Sequence, residues 1–171
     1  MNTTRQLTGE RADLVSILDR HRYFLRQTVR GLTDEQAAQR TTVSELCLGG
    51  LIKHVTLTEG QWARFIREGP SAMTFSGADA STWDDGFRML PGETLAGLLE
   101  AYDEVARGTD ELVATLPDLD ASHPLPDAPW FERGARWSAR RVLLHILAET
   151  SQHAGHADII REALDGAKSM G

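Results

Sequence analysis

Apolar positions recur at three- and four-residue spacing through four long stretches of the chain, the signature of helices that bury one face. The first stretch, Gly9 to Arg30, carries Leu14, Ile17, Leu18, Leu25 and Val29, and Gly31 supplies a stop. Thr33-Asp34-Glu35-Gln36 then reads as a capping box opening a short helix that ends near Gln39. The second long helix, Ser44 to Glu68, has Cys47, Leu51, His54, Thr58, Trp62 and Phe65 along one stripe and ends at Gly69-Pro70. The third, Glu93 to Leu116, is carried by Leu95, Leu98, Leu99, Tyr102, Val105, Leu112 and Val113. The last starts behind Ser138 as N-cap and runs to Leu164, with Gly166 as its stop.

Two long connections separate these helices. Residues Pro70 to Gly92 hold Phe75, Trp83 and Phe87 among Ser, Gly and Asp. Residues Pro117 to Trp137 hold four prolines with Trp130 and Trp137, and cannot form a continuous helix. No segment reads as a convincing strand, and no internal repeat is visible. The pattern predicts an all-α four-helix bundle with two long connections, folded as one domain over residues 1–171.

Composition narrows the function. The 171 residues include 41% apolar positions, enough for one sizeable core. The formal net charge of −7 is spread along the chain, which makes nucleic acid a poor partner. No apolar run approaches the ~20 residues needed to span a bilayer, and the first residues lack a signal core. With one cysteine, Cys47, no intrachain disulfide can form, so a cytoplasmic location is expected. Cys47 itself reads as a packed residue rather than a nucleophile.

The chemistry concentrates on the last helix. At about 100° per residue, His145, Glu149, His153 and His156 fall in one narrow sector beside Val142, Ile146 and Ile160. Buried polar groups need partners. His145 and His153 are ~12 Å apart along the axis, too far to share one ion. Glu149 with His153, and His153 with His156, are each close enough to converge. A third ligand must come from another helix, and His54, in the stripe of the second helix, is the best placed. Taken alone, a histidine in an apolar stripe is more often a satisfied core residue. Glu59, Asp103 and Glu104 read as helix surface charge.

The segments LGGLIKHVTLTEGQW (48–62) and RWSARRVLLHILAETSQHAGHADIIREALDG (136–166), above all HAGHADIIRE, resemble the DinB-like superfamily. The resemblance is closest to its actinobacterial branch of mini-circle proteins, mycothiol S-transferases and relatives of mycothiol-dependent maleylpyruvate isomerase. It implies a bundle that binds zinc or nickel through His54, Glu149 and His153, with Glu149 standing where many relatives carry a histidine. It further implies activation of a low-molecular-weight thiol, mycothiol, for transfer to a small electrophile. In that setting His156 is a candidate for contacting substrate or orienting a bound water, and Trp83 and Trp130 are candidate pocket walls. A homodimer is compatible with this reading. The alternative is a metal-binding stress or interaction protein of the same fold without catalysis.

Overall fold

A computed structural model describes residues 7–73 and 85–169. Helix α1 spans Glu10–Gln27, α2 spans Asp34–Ala38 and α3 spans Leu48–Glu68, which passes into a 3-10 turn over Gly69–Ala72. Helix α4 spans Leu95–Thr115 and α5 spans Ala139–Asp165. Each start has a local cause. The Thr33–Gln36 capping box forms at α2 as expected, with Thr33 Oγ1 accepting from Gln36 N and Gln36 Oε1 accepting from Thr33 N. Cys47 caps α3 by accepting from Gly50 N, so the helix begins at Leu48, four residues later than the apolar pattern suggests. Thr94 caps α4 and Ser138 caps α5 in the same way. Gly166 closes α5 at φ 79°, in the left-handed region that glycine tolerates best.

The connection before α5 differs from the expectation in one respect. It contains a two-stranded antiparallel ribbon, β1 (Ser122–Pro124) against β2 (Arg136–Ser138), with His123 opposite Trp137. Three-residue strands are too short to show an alternating pattern. Pro124, without an N–H, stands at the end of its strand, where a missing donor is tolerated.

Contacts along the helices give their directions. Arg22 meets Asp110 and Arg26 meets Asp103, so α1 and α4 run antiparallel. Glu10 meets Arg140 and Thr28 O accepts from Arg161, so α1 and α5 run parallel. His54 faces His153 and Trp62 faces His145, so α3 and α5 run antiparallel. Lys53 pairs with Glu93 while Arg67 donates to Gly108 O, so α3 and α4 run parallel. The chain between α3 and α4 must therefore return the full length of a 21-residue helix, about 30 Å. Residues 87–89 lie on the first turn of α3. A Cβ on Gly50 would stand 1.9 Å from Phe87 O, and one on Gly49 would stand 2.1 Å from Met89 Sδ. Gly50 is the position that requires glycine, because it meets the backbone of Phe87 and Arg88, whereas Gly49 meets only the flexible end of the Met89 side chain.

The core is two apolar clusters with a polar layer between them. One is built on Leu14, Leu18, Trp62, Phe65, Leu112, Val142 and Ile146, the other on Leu25, Leu51, Ile52, Val55, Leu95 and Ile160. Between them lie Arg22, Glu59, Thr109 and Thr150, all buried. Glu59, expected on the surface, is 1% exposed. Arg22 Nη2 donates to its Oε1 at 2.5 Å and Arg22 Nε to its Oε2 at 3.4 Å. The same guanidinium reaches Asp110 at 2.8 Å and Asp19 at 3.0 Å. A buried carboxylate is tolerated only with such partners.

Candidate metal centre

Two helices bring the site together. On α3, His54 sits one turn after the Gly49-Gly50 start and faces α5. On α5, Glu149 and His153 are one turn apart on the face turned to α3. The result is a triad in which one donor atom from each of His54, Glu149 and His153 lies within 4.8 Å of the others. Among the described residues this is the one such group of histidine, cysteine and carboxylate donors. The His54 and His153 rings are 4.7 Å apart and nearly perpendicular, at 76°. Glu149 Oε2 stands 3.6 Å from His153 Nε2. The site is half sheltered: His153 keeps 11% of its side-chain surface exposed and Glu149 29%.

The other stripe histidines flank the triad. His156 Nδ1 lies 3.4 Å from His153 Nδ1, on the side of the ring away from Glu149. His145 Nε2 lies 3.9 Å from Glu149 Oε1 and stands outside the triad, as the helical rise requires. Its ring is edge-on to Trp62 and Trp137.

Phe87, from the returning connection, stacks on the His54 ring at 3.9 Å and 20°. The sequence shows Phe87 only as an aromatic in a long loop, with nothing to place it. The signal that locates it is the Gly49-Gly50 pair, which marks a backbone approach one turn before His54. Trp130 is 63% exposed and meets Phe131 at a ring distance of 6.2 Å. Trp83 lies outside the described residues. Cys47 is buried at the start of α3, in a capping role.

The electrostatics suit a cation. Burial, reinforced by the facing His153, pushes His54 down to about 4, so its imidazole is neutral at pH 7, the form in which histidine coordinates a metal. The neighbouring His153 imidazole, more than any other group, holds Glu149 below the usual carboxylate range against the opposing effect of burial. Burial also lowers His145, with the Glu149 charge opposing it. Two imidazoles and an ionised carboxylate form a common catalytic zinc donor set. Donors about 2.1 Å from one ion stand roughly 3.4 Å apart in a tetrahedral site, so small side-chain rotations close this triad on a metal.

The depressed His54 value has a consequence for the metal-free protein. Between the ordinary histidine value of about 6.5 and about 4, the unfolded chain takes up a proton at this position that the folded chain does not. The stability contributed by neutral His54 is therefore present above about pH 6.5 and lost as pH falls toward 4. NMR titration of the imidazole in metal-free protein should find the His54 midpoint near 4. A midpoint near 6.5 would show that the ring is not held away from water.

Comparison with known proteins agrees with this architecture. Among solved structures, the crystal structure of a conserved protein from Enterococcus faecalis superimposes with a TM-score of 0.70 at 12% identity, over 94% of this chain and 100% of that one. At that identity the likeness speaks for the fold. No protein with a curated description matches the sequence. The family model for mycothiol-S-transferase matches residues 13–166, a span that contains α1 to α5 almost entire and all three triad residues. The chain belongs to the mycothiol-S-transferase family, a DinB-like family.

Proposed function

We propose that this protein transfers the thiol of mycothiol to a small electrophile, with a divalent ion, zinc or nickel, held by His54, Glu149 and His153. The observation that carries the reading is the convergence of those three donors from α3 and α5. An ion in such a site lowers the pKa of a bound thiol, so that a thiolate is available at neutral pH. Three protein ligands leave coordination positions for substrate, as catalytic rather than structural sites do. Glu149 supplies one negative charge, and His54, kept neutral by burial, supplies a lone pair without competing for a proton. The transfer forms a C–S bond as the thiol S–H bond breaks: at an activated double bond the π pair opens and the adjacent atom takes up a proton, and at a substituted carbon the leaving group departs with its bonding pair while the thiol proton passes to solvent. His156, beside His153, is assigned to contact the substrate or orient a bound water. Trp130, on the second connection, is assigned as a pocket wall. The thiol and electrophile are small and soluble, in keeping with a cytoplasmic enzyme. Among the described residues no helix is long and apolar enough to cross a membrane.

The test is an assay of tag-free protein with mycothiol and a panel of small electrophiles, with the thioether product read by mass spectrometry. Product should form with metal present, vanish on chelation and return on metal addition. His54→Ala, Glu149→Ala and His153→Ala should all be inactive. Turnover that survives complete removal of the metal would refute the mechanism. Stoichiometric metal without turnover across the panel would favour a non-catalytic metal-binding protein.

A further inference from the structure

Two imidazoles of the α5 stripe, His145 and His156, lie outside the donor triad, and the fold fixes His145 closely. His145 lies one turn before Glu149. Its ring is held edge-on by Trp62, at 4.8 Å and 80°, and by Trp137, at 5.1 Å and 67°. Those two indoles stack on each other at 4.9 Å, and Arg141 lies over the Trp137 ring at 4.9 Å. An apolar side chain would fill this position without placing a polar ring among aromatics. What the imidazole adds is a nitrogen aimed at Glu149. His145 Nε2 is 3.9 Å from Glu149 Oε1, while Glu149 Oε2 is 3.6 Å from His153 Nε2. The carboxylate is thus strung between two imidazoles, one for each oxygen.

A carboxylate can bind a divalent ion through one oxygen or through both. The second mode takes up an additional coordination position. We propose that His145 is a positioning residue that engages Oε1 of Glu149, so that Oε2 alone is presented to an ion at His54, Glu149 and His153. The inference rests on reading those three residues as the metal site. A closure of about 1 Å brings Nε2–H to hydrogen-bonding distance from Oε1. That bond fixes the orientation of the carboxylate, as outer partners commonly do for metal ligands. The two indoles hold the imidazole at the required angle. By keeping Glu149 monodentate, His145 preserves the open positions that a thiol substrate needs.

The test uses Co²⁺ as the probe, because its visible absorption weakens as coordination number rises, together with Zn²⁺ affinity measured by competition with a chelator. His145→Phe keeps a flat ring between the indoles but has no N–H to donate. His145→Leu is a second donor-free variant should the phenyl ring prevent folding. His145→Gln retains an N–H donor. The melting temperature of each metal-free variant reports on folding separately from the site. In a folded donor-free variant, Zn²⁺ affinity should fall about 10–100-fold and the Co²⁺ band should weaken. His145→Gln should recover part of both. A donor-free variant with wild-type affinity and spectrum would overturn the assignment of His145 while leaving the metal site standing. So would a glutamine variant no better than the donor-free ones. A wild-type protein that binds neither ion would instead overturn the metal reading itself, and this inference with it.

Discussion

Glu59→Ala is expected to lower the melting temperature by roughly 6–20 °C. The substitution leaves the Arg22 guanidinium, 0% exposed, without its buried partner. Removing one member of a buried ion pair costs about 3–5 kcal/mol, because the remaining charge stays out of water. In a domain near this size each kcal/mol shifts the midpoint by about 2–4 °C. Arg22→Met should be comparably severe, since it strands the Glu59 carboxylate, 1% exposed. Asp110 and Asp19 would remain partly solvated in that variant and add less to the cost. The double variant Arg22→Met, Glu59→Leu should recover much of the loss, because an apolar layer of similar volume is often as stable as the pair it replaces. With Glu59→Leu as the matching single variant, wild type, Arg22→Met, Glu59→Leu and the double variant form a double-mutant cycle read by thermal denaturation. Single variants that melt within about 2 °C of wild type would show that the layer does not hold these charges buried in solution.

The second large effect is the coupling of metal to stability. The triad joins α3, through His54, to α5, through Glu149 and His153. An ion that binds the folded chain and hardly binds the unfolded one stabilises by about 2.7 kcal/mol at a hundredfold excess over Kd. Metal-loaded protein should therefore melt roughly 5–11 °C above protein treated with chelator. The metal-free form should still fold. The two apolar clusters are complete without the ion, and a domain of this size buries most of the surface its unfolded chain exposes. The gap between the two curves should narrow from pH 7.5 toward pH 4 as protons compete for the donors. At His54 that competition sets in late, since burial already holds the ring neutral down to about 4. Identical curves at pH 7.5, with occupancy confirmed by metal analysis, would mean that the ion does not bridge the helices. A metal-free protein unfolded at room temperature would make the ion structural.

The helices were legible because each buries one face at a regular spacing and carries its own cap and stop. The Thr33–Gln36 box, the Ser138 cap and the Gly166 stop are local signals, and local signals survive into the structure. The α5 stripe was legible for the same reason, because its residues share one helix. What periodicity does not show is pairing between helices. Glu59 is spaced with Val55, Trp62 and Ile66, and Arg22 with Leu18, Leu25 and Val29, so each falls on an inward face. Each is a charged residue, and read singly a charge belongs in water. Only the partner 37 residues away makes burial affordable. Phe87 is hidden for a related reason: its place against His54 depends on the path of a connection that no period governs. The ribbon of β1 and β2 is too short for any pattern to show.

The measurement that tests the account most directly is an anomalous difference map from crystals of tag-free protein supplied with Zn²⁺, collected at energies on either side of the zinc edge. The account predicts one strong peak between α3 and α5, about 2.0–2.2 Å from a nitrogen of His54, a nitrogen of His153 and one oxygen of Glu149, with His145 beyond bonding distance. A peak bound by His145 or His156 in place of Glu149, or no peak at that seam when zinc is present in the crystal, would contradict it.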